Sequence, residues 1–171
     1  MLSRAMAAKI IDIEELRSTL PPKGRLMGVD LGTKTIGLAL SDVERRIASP
    51  LKTLRRVKFT PDAQALLAEV KEFDIQALVF GLPLNMDGTE GPRSQATRSF
   101  LRSLAPLTDI DFVLWDERLS TAAVLRSLID QDASRAKRAQ VVDRMAAAYI
   151  LQGVLDRLTA LKPQAPLSSL P

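Results

Sequence analysis

The order of the apolar segments is the feature that most constrains what this chain can fold into. Three short apolar runs, at residues 25–31, 36–40 and 48–54, follow one another through tight turns and predict a three-stranded meander. Helical and strand-like segments then alternate, with further strands expected at 77–80 and 110–115. A meander joined to helix–strand units predicts an α/β domain with a mixed sheet and helices on both faces.

Capping signals and helical periodicity place helices between and after these strands. Thr60 is a candidate cap with Pro61 at the first helical position, and Gly81 is expected to end the fourth strand. Later helices are expected at residues 93–104, from Ser120 or Thr121 to about residue 129, and at 138–161.

The two ends of the chain differ in composition from the centre. Residues 1–23 are expected to form an N-terminal extension with a short helix that stops at Pro21 and Pro22. Residues 24–161 are expected to form the folded domain, and residues 162–171, rich in Pro and Ser, a flexible tail. No run approaches the ~20 apolar residues that span a bilayer, and acids interrupt the N-terminal segment, so we expect a cytoplasmic protein without a membrane partner.

Two residue types are missing, and their absence excludes several chemistries. The chain has no cysteine and no histidine, which removes disulfides, thiolate metal sites, Ser-His-Asp catalysis and imidazole-bound zinc. A metal ion would need oxygen ligands, which favours Mg²⁺ or Mn²⁺. The net charge of +4 and the pI near 9.7 favour an anionic partner.

Two acids lie in apolar surroundings. Asp30 interrupts a strand-like apolar run, where a carboxylate costs several kcal/mol unless a metal cation or a buried Lys or Arg pairs with it. Asp143 shares a helical stripe with Ala146, Ala147 and Ile150 and should therefore face the sheet. The alternative for Asp143 is an acid stabilised by a helix N-terminus.

A third acid directly follows the fifth strand. Asp116 and Glu117 are adjacent there, at the edge where open α/β sheets bind ligands. Because successive strand residues point to opposite faces, only one of the two should enter a site. The local pattern does not choose between them, and a solvated turn with an exposed ion pair is the ordinary alternative.

Four segments in this order resemble the motifs of one family. Residues 28–42, 79–93, 114–121 and 141–147 are similar to those of the YqgF/RuvX family. The resemblance implies a ribonuclease H-like fold with a five-stranded sheet in the order 3-2-1-4-5. It also implies a nuclease that matures the ends of pre-16S rRNA during ribosome biogenesis. The family was first described as a Holliday-junction resolvase by similarity to RuvC.

The resemblance also implies the site residues. In that family the glutamate follows the fifth strand, so the catalytic and metal-binding set carried onto this chain is Asp30, Glu117 and Asp143. We expect Mg²⁺ or Mn²⁺ in a two-ion arrangement, with Asp30 bridging the ions and the other two acids holding one each.

Substrate binding requires cations and polar groups near the acids. The candidates are Lys34, Asn85, Arg93, Arg118 and Arg138. Each of them could instead be an ordinary surface residue, either solvated or ion-paired. The expected partner is structured RNA, with branched DNA as the alternative, and the expected state is a monomer or a weak homodimer.

Three other functions are compatible with the sequence. The turn after Asp30 also resembles the phosphate-binding hairpin of sugar kinases and Hsp70, although these need a second domain that 171 residues do not provide. Cleavage of four-way DNA junctions is a second alternative. A non-catalytic ribosome or transcription factor with the same fold is the third.

Overall fold

The computed structural model describes residues 7–119 and 136–161, with no description of the side chains at 136–142. It contains one five-stranded sheet in the order β3-β2-β1-β4-β5, which confirms the predicted mixed sheet. β2 pairs antiparallel with both β1 and β3, whereas β4 is parallel to β1 and to β5. The strands are β1 Arg25–Leu31, β2 Thr35–Ser41, β3 Ala48–Arg55, β4 Ile75–Leu82 and β5 Phe112–Asp116.

Helices cover both faces of this sheet. The predicted helix at 120–129 and the predicted tail at 162–171 lie outside the described residues. Within the described part of the chain, no helix is long and apolar enough to cross a membrane. The helices are α1 Ile13–Thr19, α2 Phe59–Glu72, α3 Pro92–Leu104 and α4 Ala136–Ala160, with short 3-10 turns at Ala105–Leu107 and Glu117–Leu119.

Apolar side chains fill two layers, one on each side of the sheet. On the face covered by α2 and α3, Phe80 packs edge-on against Phe112 with ring centroids 5.6 Å apart, and Phe100 packs nearby. On the opposite face, Ile150 and Leu151 of α4 are fully buried against the sheet. The result is a three-layer α/β/α domain, in which burial of each aliphatic or aromatic side chain contributes roughly 1.5–3 kcal/mol.

The chain before β1 protects one edge of the sheet. Ile10 forms a parallel bridge with Phe112 of β5, and the Ile11 amide donates to the Phe112 carbonyl at 2.8 Å. Leu16 of α1 is buried in the layer formed by α4. The outer edge of β5 is therefore covered at its first residue, whereas β3 is the edge strand on the other side.

The start of α2 differs from the prediction. The helix begins at Phe59 with Lys58 in the cap position, so the predicted cap at Thr60 is wrong. The reason is a local hydrogen bond: the buried Asp62 carboxylate accepts from the Val57 amide at 2.9 Å and satisfies the backbone just ahead of the helix.

The fourth strand also runs further than predicted. Gly81 does not end β4, because it pairs with Trp115 of β5 and Leu82 pairs with Asp116 beyond it. Its missing side chain serves packing instead, since a Cβ at Gly81 would lie 2.5 Å from Cδ1 of Ile150.

The backbone of α4 touches the backbone of the sheet. A Cβ added to Gly28 of β1 would lie 2.6 Å from the carbonyl oxygen of Ala147, and one added to Gly37 of β2 would overlap the carbonyl of Asp143. Only glycine permits this approach, which fixes the height of α4 above β1 and β2.

We expect Gly37→Ala to lower the free energy of unfolding by at least about 2 kcal/mol, because the new methyl group forces α4 away from the sheet. Urea unfolding, followed by the fluorescence of the single tryptophan, Trp115, measures this change. The matched control is Gly91→Ala, where the Cβ would meet only the flexible side chain of Asn85 at 3.2 Å. A Gly37→Ala protein within 0.5 kcal/mol of wild type, roughly the range for neutral substitutions, would contradict this packing.

Candidate active site

Asp30 lies near the end of β1 with only 1% of its surface exposed. It stands directly opposite Gly37 in the antiparallel β1–β2 pair. Directly opposed residues share one face of the sheet, and Gly37 faces α4. The Asp30 carboxylate is therefore buried on the face of the sheet that α4 covers.

Asp143 enters the same face from above. Its carbonyl sits over Gly37, and its side chain is partly exposed. The hydroxyl of Thr35, at the start of β2, donates a hydrogen bond to Oδ2 of Asp143. The same oxygen lies 3.6 Å from the position of a Cβ on Gly32. The Asp143 carboxylate thus sits above the β1–β2 hairpin.

Glu117 approaches from the other side of Asp30. It opens the 3-10 turn after β5 and is 4% exposed. Its Oε1 lies 2.6 Å from the position of a Cβ on Gly81. Gly81 follows Phe80, the residue of β4 that pairs with Val29 of β1, so Gly81 and Asp30 lie side by side.

The three acids form a row across neighbouring strands. Glu117 lies over β4, Asp30 projects from β1, and Asp143 lies over β2. Neighbouring strands are roughly 4.8 Å apart, so Asp30 has one acid about one strand spacing away on each side. Among the described residues, no group of three acidic side chains is close enough to hold a single metal ion. The arrangement is a line centred on Asp30 rather than one compact cage.

The structure distinguishes the two adjacent acids that the local sequence could not. Asp116 forms a 2.7 Å ion pair with Arg118, whose hydrogen bonds lower the pKa of that carboxyl. Burial instead raises the pKa of Glu117 to about 7, an effect that Arg93 partly opposes. Glu117 faces the row of acids, and Asp116 takes part in the surface ion pair.

The predicted cationic residues occupy different environments. Arg93, in the first turn of α3, is close enough to Glu117 for its charge to lower the pKa of that acid. Lys34 is exposed at the turn of the β1–β2 hairpin. Arg118 is engaged by Asp116, and Arg138 lies in α4, where its side chain is outside the described residues.

Asn85 organises the loop between β4 and α3. Its side-chain amide donates to the Thr89 hydroxyl at 3.0 Å, and its backbone amide donates to the Thr89 carbonyl at 2.9 Å. Arg118 donates to the carbonyl of Met86 at 3.2 Å and so ties this loop to the end of β5. Asn85 and Arg118 therefore shape the rim of the site through contacts within the protein.

Two supporting groups were missed in the sequence. Arg56 donates from Nη1 to the carbonyl of Gly32 at 2.8 Å, and its backbone amide donates to the carbonyl of Lys34 at 2.9 Å. The buried Asp62 lies 3.6 Å from Nε of Arg56. This pair fixes the hairpin that carries Thr35. The sequence holds no local signal for the hairpin contacts, because they join Arg56 to a turn more than twenty residues earlier.

Known proteins with related sequences cover most of the chain. The model of the family described as "RuvX: Holliday junction resolvase" matches residues 24–157. A protein of Methylocella silvestris named "Putative pre-16S rRNA nuclease" is 64% identical over 94% of this chain and 99% of its own length. A protein of the same name from Beijerinckia indica is 67% identical over 90% of this chain and 93% of its own.

Solved structures with the same fold are much more distant in sequence. RuvC of T. thermophilus, in complex with a Holliday junction substrate, matches with a TM-score of 0.51 and 14% identity. The match covers 82% of this chain and 99% of that one. It supports the ribonuclease H-like fold and carries no residue roles.

The family model spans the whole sheet together with α2, α3 and nearly all of α4, and the relatives match almost end to end. These matches confirm the resemblance seen in the sequence motifs: the chain belongs to the RuvX family.

Proposed function

We propose that this protein is a metal-dependent nuclease that cleaves structured RNA and matures the ends of pre-16S rRNA. The observation that carries the proposal is the row formed by Glu117, Asp30 and Asp143 on one face of the sheet. The names of the two relatives described above support the choice of rRNA as the substrate.

The donor set fits divalent cations such as Mg²⁺ or Mn²⁺. All three groups are carboxylates, which suit these hard ions, and the chain offers no imidazole or thiolate. A linear row centred on Asp30 suits two ions better than one, and Asp30, Glu117 and Asp143 would hold them. A bound pair of ions would activate water and stabilise the leaving oxygen of a phosphodiester.

Burial of these acids favours cation binding. Burying a carboxylate without compensating charge costs several kcal/mol, and burial already raises the pKa of Glu117 to about 7. A cation at this position would favour the ionised form. A metal bound by Glu117 and Asp30 would therefore meet carboxylates that the fold has already removed from water.

Other residues of the chain would hold the substrate. Arg93 lies beside Glu117 and can neutralise a phosphate on that side of the row. Lys34, exposed at the turn of the β1–β2 hairpin, can do so on the other side. The hydroxyl of Thr35 fixes the orientation of the Asp143 carboxylate. Only 4% of the residues are aromatic, so base stacking is minor and the substrate is recognised through its backbone and shape.

We expect Asp30→Asn and Asp143→Asn each to lower kcat for cleavage of a pre-16S rRNA fragment by at least roughly a hundredfold. This is the scale seen when an electrostatic group that stabilises the transition state is lost. The measurement is product formation with Mg²⁺ or Mn²⁺, compared with EDTA.

The control for these variants is Asp156→Asn, which makes the same change on α4 at an exposed site. It should cleave at the wild-type rate. If Asp30→Asn also cleaved at that rate, the catalytic role of the row would be refuted. If a four-way DNA junction were cut while the RNA stayed intact, the substrate would be branched DNA instead.

Glu117 should also make stability depend on pH in the absence of metal. Its folded pKa of about 7 lies above the ordinary value of 4.5, so between these values the folded state binds more protons than the unfolded state. Stability must then fall as the pH rises through this window, by about 3 kcal/mol for this group.

Urea unfolding in EDTA at several pH values measures this term as the difference between wild type and Glu117→Gln. The Glu117→Gln variant should be the more stable protein at pH 8. Its free energy of unfolding should lack the fall of about 3 kcal/mol that Glu117 causes as the pH rises. Parallel pH profiles for the two proteins would show that Glu117 is not desolvated as described.

A further inference from the structure

We propose that Arg55, on edge strand β3, is a substrate-positioning residue that binds a phosphate of the nucleic acid next to the row of acids. The inference rests on the proposed nuclease function and deepens it, because it extends the substrate's path to one side of the site. The inference is based on the position of Arg55 opposite Thr35, whose side chain contacts Asp143.

The register of β2 and β3 places Arg55 on the face that carries the acids. Thr35 pairs directly with Arg55, and opposed residues in an antiparallel pair project to the same side with Cβ atoms about 5 Å apart. The Thr35 side chain points to Asp143, on the α4 side of the sheet. The row therefore continues outward in one line, from Glu117 over β4 to Asp30, Asp143 and finally Arg55.

The charges around Arg55 leave it available for a ligand. From residue 45 to residue 61 the sequence contains six Lys or Arg residues and no acid. Lys52 pairs with Glu69, and Arg56 pairs with Asp62. Arg55 is exposed, and no acid among the described residues lies within ion-pair distance of it.

The surrounding contacts hold this position firmly. The amide of Arg56, the residue after Arg55, donates to the carbonyl of Lys34 at 2.9 Å. The guanidinium of Arg56 binds the Gly32 carbonyl on the same hairpin. Arg55 is thus anchored to the turn that bears Lys34. The two cations together suit the phosphodiester backbone, whose charges repeat along the strand.

An arginine on an edge strand has an ordinary alternative explanation. Charged side chains on an edge strand prevent it from pairing with another molecule. This alternative predicts that loss of Arg55 changes self-association and leaves RNA binding unaltered.

The test measures binding of a fluorescently labelled RNA hairpin with single-stranded flanks, in EDTA, over a series of salt concentrations. We expect Arg55→Gln to bind roughly fivefold more weakly near 0.1 M salt and to lower the slope of log K against log salt by about 1. Arg55→Lys should keep the slope, because it keeps the charge. With metal present, Arg55→Gln should raise KM and leave kcat near the wild-type value.

The matched control is Arg157→Gln, which removes the same charge from an exposed site on α4. Arg157 lies fourteen residues beyond Asp143, about 21 Å along the helix axis. The proposal is overturned if Arg55→Gln binds like wild type, if both variants weaken binding equally, or if only self-association changes, as light scattering would show.

Because binding is measured without metal, its result is separate from the proposed catalysis. Wild-type protein that binds RNA through Arg55 but does not cleave it would refute the nuclease function alone. Cleavage by wild type together with unchanged binding by Arg55→Gln would refute the role of Arg55 alone.

Discussion

The direct contact between the backbone of α4 and the backbone of the sheet is the constraint on which the rest of this structure depends. Gly28 and Gly37 leave no side chain between the two layers, so the carbonyls of Ala147 and Asp143 rest on β1 and β2. A helix held at this height buries its apolar stripe and also brings Asp143 down to the level of the hairpin. The stability of the α4 layer and the geometry of the candidate site therefore arise from the same contact.

Charged groups lie inside this otherwise apolar domain. Asp30 and Glu117 are almost fully buried, and they work against folding unless other charges offset them. Arg93 supplies part of that offset at Glu117. Under the proposed function, divalent ions would supply more, and their binding would then contribute to both stability and activity. The proposed function uses desolvation as a source of metal affinity.

Much of the fold could be predicted, because its signals are local. The apolar runs predicted all five strands, with errors of one or two residues at most ends, and the meander followed by helix–strand units predicted a mixed sheet. The missed boundaries depend on specific contacts that composition and periodicity do not reveal. β4 extends through Gly81 because β5 pairs with it there, and α2 starts early because the buried Asp62 satisfies the backbone amide of Val57. The first contact joins residues more than thirty positions apart, and the second is a local side-chain hydrogen bond that the capping pattern does not show.

The sequence by itself determined the chemistry that is possible. Without His or Cys, any metal site must use oxygen ligands. Acids in apolar surroundings indicated candidate site residues, because such acids are costly to bury. Only the tertiary structure decided how these acids are arranged. It turned Glu117 inward, where burial shifts its pKa, and left Asp116 in an ion pair with Arg118. The physical reason is that residue type fixes what a group can bind, whereas desolvation and the distance between groups depend on strand register and helix packing.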